Sequence, residues 1–404
     1  MMEPRDIKII DYNYILPPER IAQFPLKERD ETKLLIYRNK NISETIFKNI
    51  SDYIPEDSLL VMNDTKVIQA RLHFTKETGA LIEIFCLEPH QPELNINLKQ
   101  KAIWKCLVGN AGKWKHGSLK KNIKIYSDEI ILEANILERE FDYFIVEFNW
   151  DAEKYTFNDI LNSAGMIPLP PYIEREPFEA DKYRYQTIYA KTDGSVAAPT
   201  AGLHFTESVF NNLKNKNIEI DYITLNIGTG TFKPVKTETI GEHDMHFEHF
   251  IMNKKSILNL QNFLKKNIIA VGTTTMRTIE SLYLIGLQLY KNKNFSGKEF
   301  TIGQWEAYEG NAVLTAEDAL NEILNYLEKN NLDYLTAKTG ILIAPGYKFK
   351  FINTLITNFH LPKSTLLLLI AAFIGEDWRK VYYYALKNNF RFLSYGDSSI
   401  LFSK

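Results

Sequence analysis

Short runs of β-branched and aromatic residues recur between Arg71 and Glu147, and this pattern constrains the fold more than any other feature of the chain. Turns containing glycine, asparagine and lysine separate the runs. Many short strands at such close spacing are typical of an antiparallel barrel or sandwich. The predicted strands are Leu81–Leu87, Ile103–Val108, Ile123–Tyr126, Ile130–Ala134 and Tyr143–Phe148.

The flanking parts of the chain instead alternate between strand-like and helix-like patterns. Ser58–Met62 is predicted to be a buried strand, whereas Glu207–Asn215 has helical character. This alternation indicates an α/β layer. We therefore predict an α/β fold in which residues 1–70 and 151–404 form a larger mixed α/β catalytic domain. Residues 71–150 form an inserted small antiparallel β-barrel domain.

Composition excludes several classes of protein but does not identify a partner. The net charge is −2, so nucleic-acid binding would require local basic patches. The most apolar run, Leu366–Ile374, has about half the length that a bilayer span needs. Two isolated cysteines, Cys86 and Cys106, indicate neither a disulfide framework nor a zinc site. We expect a monomeric cytoplasmic protein that does not contact a membrane.

Polar residues follow the predicted strand that ends at Met62. Asn63, Asp64 and Thr65 come first, and Arg71 lies a few residues further on. The ends of buried strands are where α/β proteins place ligands. An Asx-turn, in which Asp64 bonds its own backbone, explains the same residues equally simply.

The segment from Gly194 to Glu207 combines small, glycine and hydroxyl residues around His204. Thr200 and Gly202 would allow a ligand to approach the backbone closely. Thr206 is predicted to cap the following helix, and His204 could exchange protons near neutral pH. The alternative is a tight loop around a buried, hydrogen-bonded histidine.

Two further segments are candidates for shaping a pocket. Three prolines between Pro168 and Pro171 stiffen the backbone before Tyr172, which could stack on a base or belong to a rigid linker. The turn after Asn226 contains Gly228 and Gly230 but lacks the lysine of a nucleotide-triphosphate loop. Close backbone approach to a ligand is the better interpretation of these two glycines.

Two candidate charge clusters have competing explanations. Arg277 and Glu280 lie three residues apart on a predicted helix, where they could form an ion pair or hold a carboxylate and an amine. The histidines and carboxylates from His243 to His249 match no standard zinc spacing. We therefore predict no metal site there.

The C-terminal candidates lie between an apolar strand and an apolar helix. Asn358, His360 and Lys363 belong to the polar, aromatic and basic segment Thr357–Lys363, a mixture that suits a site better than a core. Asp397 follows in a second polar segment.

These blocks, in this order, resemble those of the S-adenosylmethionine:tRNA ribosyltransferase-isomerase family. The resemblance rests on Leu16–Gln23, Asn63–Thr65, Pro168–Tyr172, Ser195–Thr206, Gly272–Ser281, Pro345–Tyr347, Thr357–Thr365 and Ser394–Asp397. It implies an inserted β-barrel in an α/β protein of queuosine biosynthesis. It also implies transfer and isomerisation of the ribosyl group of S-adenosylmethionine onto 7-aminomethyl-7-deazaguanine at the wobble position of tRNA. The products would be epoxyqueuosine, adenine and methionine.

The implied chemistry suggests a role for each candidate. A sulfonium acidifies the adjacent C5′–H and makes methionine a leaving group, so the enzyme needs proton transfer and a binder for the methionine zwitterion. We assign proton transfer to His204 and Asp64, and the methionine ends to Arg277 and Glu280. Contacts with ribose, base or RNA phosphate are assigned to Asn358, His360 and Lys363. S-adenosylmethionine is then a consumed co-substrate, tRNA is the partner, and no metal or other cofactor is required. The remaining substrate-binding candidates are Arg71, Tyr172, Thr200, Gly202, Gly228, Gly230 and Asp397.

Two departures from the family pattern keep alternatives open, and one of them is a stretch between Ser281 and Pro345 that is longer than we expect for the family. Asn226 stands where the family usually has histidine. A related transferase with another acceptor, or a non-catalytic RNA-binding homologue, would also fit the residues.

Three further predictions each concern one short segment of the chain. Thr315–Asp318 has the pattern of a capped helix start, and apolar residues follow it at helical spacing up to Leu327. Lysines flank Trp114 in a turn that could contact RNA. Trp305 could border the substrate cleft or belong to a structural elaboration.

Overall fold

The computed structural model describes residues 3–90, 96–228, 235–293, 295, 297, 299–310 and 314–403. Within them the strands are β1 (Lys33–Arg38), β2 (Asn41–Ile46), β3 (Ser58–Asn63), β4 (Thr65–Val67), β5 (Arg71–Thr75), β6 (Leu81–Pro89), β7 (Lys101–Gly109), β8 (Leu119–Ile125), β9 (Asp128–Arg139), β10 (Phe144–Trp150), β11 (Gly165–Met166), β12 (Thr192–Ser195), β13 (Glu219–Leu225), β14 (Glu248–Asn253), β15 (Asn267–Val271), β16 (Phe300–Ile302), β17 (Tyr334–Thr339), β18 (Thr354–Asn358) and β19 (Ser398–Phe402). The α-helices are α1 (Phe157–Ala164), α2 (Asp181–Arg184), α3 (Glu207–Asn215), α4 (Lys254–Asn262), α5 (Thr273–Lys291), α6 (Ala316–Lys329), α7 (Thr365–Ile374) and α8 (Trp378–Lys387).

A mixed ten-stranded sheet organises the larger part of the chain, in the order β16-β17-β14-β13-β3-β15-β18-β19-β1-β2. Its centre is parallel: β3 pairs with β13 and β15, and β15 pairs with β18. Strands buried on both faces read as continuous apolar runs, and every residue of β3 is buried. The predicted α/β class is confirmed.

Alternate residues of the central strands pack into different cores on the two faces of this sheet. Leu59 and Val61 of β3 join the core that contains residues of α5, α6, α7 and α8. Leu60 and Met62 join a second core that contains Val209 of α3. Period-two alternation and helices on both faces therefore explain why β3 has no solvent-facing side.

A curled antiparallel sheet holds the strands predicted between residues 71 and 150. Its order is β11-β5-β6-β7-β10-β9-β8, and it packs its buried residues, including Trp104 and Phe148, around Phe157 of α1. The predicted antiparallel strands are confirmed. The edge strands of this sheet are β8 and β11, so the sheet forms a half-barrel. Helix α1, which packs against it, and strand β11, which belongs to it, lie beyond residue 150 in the chain. A separate barrel domain bounded at residues 71 and 150 stays a prediction.

Helix α6 confirms the predicted capped helix. Thr315 accepts a hydrogen bond from the backbone of Asp318, whose side chain accepts from the Thr315 backbone. Its buried side chains pack against α5, and a Cβ added to Gly286 of α5 would lie 2.3 Å from the Ala319 carbonyl oxygen. Glycine is therefore required at this helix contact. The predicted apolar face is buried: Leu320, Ile323, Leu324 and Leu327.

The described helices include none that is both long enough and apolar enough to span a membrane.

Candidate active site

A cleft lies beside the carboxyl ends of the neighbouring parallel strands β15 and β18. Its empty volume is about 720 Å³, including solvent at its mouth. Carboxyl ends of parallel strands are the usual position of ligand sites in α/β sheets. The cleft is lined by Tyr172, Ala198, Pro199, Thr200, Ala201, Ile227, Gly272, Thr273, Thr274, Thr357, Asn358, Phe359, His360, Leu361, Ser364, Leu366, Leu393 and Ser394.

Asn358, the last residue of β18, presents an amide to this cleft. Its Nδ2 donates to the Leu393 carbonyl oxygen at 3.1 Å and lies 3.2 Å from His204 Nε2. The side chain is 4% exposed, and its Oδ1 has no hydrogen-bond partner among the residues that the structure describes. Because a buried acceptor without a partner is costly, Oδ1 is suited to a ligand donor.

His204 lies behind Asn358 rather than among the lining residues. Its Nδ1 lies 2.9 Å from Thr32 Oγ1, and its ring packs 5.0 Å from that of Phe47. Burial, followed by the nearby charge of Arg391, lowers the pKa of His204 to about 3. The imidazole is therefore neutral at pH 7, with both ring nitrogens engaged by side chains.

His360 is the histidine that lines the cleft. Its Nε2 lies 3.3 Å from Thr357 Oγ1, and its Nδ1 lies 3.2 Å from the Tyr382 hydroxyl. Burial lowers the pKa of His360 to about 3 as well. The cleft thus contains a neutral imidazole fixed by two hydroxyl groups.

Tyr172 and Thr200, two predicted binding residues, also line the cleft. The Tyr172 hydroxyl lies 2.6 Å from Ser394 Oγ, and burial raises the pKa of this tyrosine. The proline-rich segment and the C-terminal segment are therefore joined at the cleft wall.

The start of α5 also lines the cleft, whereas only Arg277 and Glu280 of its block were predicted to be site residues. Gly272 is the N-cap, has φ 93°, and provides no side-chain cap for this 19-residue helix. Thr273 and Thr274 follow within the lining. The first N–H groups of a helix carry partial positive charge and favour an anionic ligand group. Hydroxyl residues directly after a buried strand were the available sequence signal.

Arg277 and Glu280, one and two turns into α5, lie outside the cleft lining. Arg277 Nη1 lies 2.8 Å from Glu248 Oε2, and Arg277 Nε donates to the Ile341 carbonyl oxygen. Glu280 accepts hydrogen bonds from the Tyr347 hydroxyl and three backbone N–H groups. Burial raises the pKa of Glu280 in spite of these bonds. Glu280 is thus fully engaged by the protein, whereas Arg277 is engaged through Nε and Nη1 and its buried Nη2 has no partner among the described residues.

Asp64 and Arg71 are likewise absent from the lining. Asp64 Oδ1 accepts from the Thr224 hydroxyl at 2.7 Å, and burial raises the pKa of Asp64 against that hydrogen bond. Arg71 lies on β5, with its guanidinium 5.4 Å from the Phe85 ring and 3.6 Å from Glu83.

The predicted glycines divide into three cases. Gly202 packs tightly, since an added Cβ would lie 1.9 Å from the Tyr189 hydroxyl oxygen. Gly228 follows the lining residue Ile227 and has open space at its Cβ position. Gly230 lies outside the described residues.

Lys363 and Asp397 flank the cleft segments without lining them. Lys363 has φ 54° and bonds through its backbone to Tyr12. Asp397 accepts from the backbone N–H groups of Lys33 and Arg391, and burial raises its pKa. These contacts support the cleft wall from behind.

The histidine-rich turn and both singled-out tryptophans lie elsewhere. His249 pairs with Glu299 at 2.9 Å, and no group of three potential metal ligands occurs among the described residues. Trp305 borders a second, open groove near Glu306. Trp114 is 1% exposed and donates to the Gly117 carbonyl oxygen, so it is not available for stacking on a base.

Comparisons with known proteins identify the family of the chain. Residues 9–401 match the family model described as queuosine biosynthesis protein. An S-adenosylmethionine:tRNA ribosyltransferase-isomerase of Sulfurihydrogenibium is 38% identical, over 98% of this chain and 100% of its own length. One from Thermotoga maritima is 36% identical with the same coverage. A crystal structure of S-adenosylmethionine tRNA ribosyltransferase from T. maritima covers 97% of this chain and 99% of its own, at 27% identity and TM-score 0.46. The chain belongs to the queuosine biosynthesis family of S-adenosylmethionine:tRNA ribosyltransferase-isomerases.

Proposed function

We propose that this chain transfers and isomerises the ribosyl group of S-adenosylmethionine onto 7-aminomethyl-7-deazaguanine at the wobble position of tRNA. The products are epoxyqueuosine, adenine and methionine. The observation that carries the proposal is that five segments that resemble the family, spread from Tyr172 to Ser394, contribute to one cleft. They are represented there by Tyr172, Thr200, Gly272, Asn358 and Ser394.

The cleft residues support a revised distribution of roles. The reaction needs a group that accepts the ribose C5′ proton, and His360 is assigned this role because its imidazole lines the cleft, where substrate would displace the Thr357 or Tyr382 hydroxyl from a ring nitrogen. The uncapped start of α5 offers N–H groups to the methionine carboxylate in place of Arg277. Hydroxyl groups of Thr200, Thr357 and Ser394 can bond the ribose and the base.

The positive sulfur of the donor already provides the electrophile, so the proposed chemistry uses S-adenosylmethionine as a consumed co-substrate with no metal or other cofactor. The tRNA that carries the deazaguanine precursor is the proposed partner. A monomeric state and a cytoplasmic location stay predictions.

Substitution of the cleft imidazole tests the location of the reaction. We expect His360→Gln to lower kcat for adenine release about 100-fold or more, the usual scale for loss of a general acid or base. His249→Gln is the matched control, since His249 lies outside the cleft lining. Equal kcat values for the two variants and the unaltered enzyme, with both folded by circular dichroism, would exclude this cleft as the reaction site.

A further inference from the structure

The orientation of the Asn358 amide is fixed by two acceptors. Nδ2 faces the Leu393 carbonyl oxygen at 3.1 Å and His204 Nε2 at 3.2 Å. A flipped amide would place Oδ1 against that carbonyl oxygen, and two acceptors cannot bond each other. Oδ1 therefore points away from both acceptors, on a residue that lines the cleft.

A chain of hydrogen bonds behind Asn358 fixes the tautomer of His204. Since Nε2 accepts from Asn358, the ring proton lies on Nδ1 and is donated to Thr32 Oγ1 at 2.9 Å. The Thr32 hydroxyl in turn donates to the Arg29 carbonyl oxygen. After Asn358, each group in this series of hydrogen bonds therefore accepts from the group before it and, up to the Arg29 carbonyl oxygen, donates to the next.

The surroundings of His204 favour the neutral ring. The side chain is 3% exposed, and Phe47 packs against it. Burial, followed by the positive charge of Arg391, lowers the pKa of His204 to about 3. A neutral Nε2 keeps accepting from Asn358 throughout the physiological pH range.

The cleft lining around Asn358 combines apolar and aromatic residues with hydroxyl residues. Phe359 follows Asn358 in the chain, and the carbonyl oxygen of Leu393 accepts a hydrogen bond from Asn358. Both residues line the cleft, as does Tyr172. A buried acceptor in a cleft that also has aromatic and apolar lining residues suits a heteroaromatic ring that carries an N–H donor.

We propose that Asn358 Oδ1 binds the exocyclic amine of a purine-like base, and that His204 is a positioning residue that holds this amide and transfers no proton. The proposal rests on the proposed function, which supplies two such bases: the adenine of S-adenosylmethionine and the deazaguanine of the tRNA.

Two substitutions of His204 separate positioning from proton transfer. Glutamine places an acceptor near the position of Nε2, whereas asparagine reaches only the position of Nδ1. We expect His204→Gln to retain substrate affinity within about threefold of the unaltered protein, and His204→Asn to lose about tenfold or more. Equal, large losses of kcat in both variants with unchanged affinities would overturn the positioning role.

Binding measurements test Asn358 directly. Calorimetry with S-adenosylmethionine and with a tRNA carrying 7-aminomethyl-7-deazaguanine should show Asn358→Leu weakening one of them about 10- to 100-fold, the scale of one buried hydrogen bond. Thr354→Val is the matched control on the same strand, because Thr354 is buried and lies outside the cleft lining. Unchanged affinity for both ligands in Asn358→Leu would overturn the proposal.

A donor analogue with purine in place of adenine identifies the base. If Asn358 binds adenine, the analogue binds the unaltered protein more weakly and Asn358→Leu adds no further loss. If it binds the deazaguanine, only tRNA affinity falls in Asn358→Leu. Binding is read without turnover, so absence of adenine release by the unaltered protein would refute the proposed function separately.

Discussion

Arg277 Nη1 lies 2.8 Å from Glu248 Oε2, and both side chains are at least 94% buried. The contact joins the first turns of α5 to the start of β14, behind the cleft. A buried guanidinium that is already paired is poorly placed to bind the carboxylate of a donor. In the proposed function, the start of α5, which lines the cleft, therefore replaces Arg277 as the expected contact of the methionine carboxylate.

Breaking this ion pair should reduce stability and leave donor binding largely intact. Removal of one partner of a buried pair typically costs about 3–5 kcal/mol, because the other charge stays buried without compensation. We expect that loss for Glu248→Gln in urea unfolding. The exposed pair of Arg379 and Glu376 provides the control: Glu376→Gln should change stability by at most about 1 kcal/mol. Unchanged stability in Glu248→Gln, or a large rise in KM for S-adenosylmethionine in folded Arg277→Met, would restore the binding role of Arg277.

The two buried histidines should make the protein less stable as the pH falls. The unfolded chain binds protons at His204 and His360 below about 6.5, whereas the folded chain does so only near pH 3. Both folded pKa values are lowered, so their contribution to stability is complete above about pH 6.5 and is lost towards pH 3. Each histidine adds a slope of up to about 1.4 kcal/mol per pH unit in that window.

Unfolding by urea between pH 5 and 7 measures this slope. We expect His204→Gln to lower the slope of unfolding free energy against pH by the contribution of one histidine, up to about 1.4 kcal/mol per pH unit. His116→Gln is the control, because His116 is exposed in the turn after Trp114. A slope that is the same in the unaltered protein and in His204→Gln would show that His204 does not titrate as described.

The capping box of α6 should contribute to stability alone. Thr315→Ala removes the side chain that accepts from Asp318 N, and loss of such a cap costs about 0.5–2 kcal/mol. Hydrogen exchange should be slow in the buried turns of α6 and faster in this variant. Thr315→Ser retains the hydroxyl and should behave like the unaltered protein. A change in KM for either substrate in Thr315→Ala would instead link α6 to the cleft.

The sequence supported the fold class because its patterns are local. The all-apolar run of β3, the alternating runs around Trp104 and the cap at Thr315 each depend on neighbouring residues only. The same holds for the segments that form the cleft, which were all recognised as blocks.

Individual roles depended on partners distant in the chain. Arg277 and Glu280 have the spacing of a helical ion pair, yet each bonds elsewhere, to Glu248 and to the Tyr347–Ile352 segment. His204 and Asn358 are 154 residues apart and meet only in the folded protein. No periodicity in the sequence could have shown these pairings.

The exposed lysines beside Trp114 remain candidates for RNA contacts. Lys113 and Lys115 are exposed, whereas Lys121 bonds the Ala164 carbonyl oxygen and is half-buried. If both exposed lysines contact phosphates, Lys113→Gln and Lys115→Gln should each reduce the salt slope of tRNA binding by about one. Lys113→Arg retains the charge and serves as the control. Equal slopes in all variants would remove this turn from the RNA interface.

The most direct test of the central claim is analysis of the products made from S-adenosylmethionine. Mass spectrometry should detect free adenine and methionine only when tRNA carrying 7-aminomethyl-7-deazaguanine is present, with epoxyqueuosine in the recovered tRNA. Formation of S-adenosylhomocysteine, or release of adenine at the same rate without tRNA, would contradict the account.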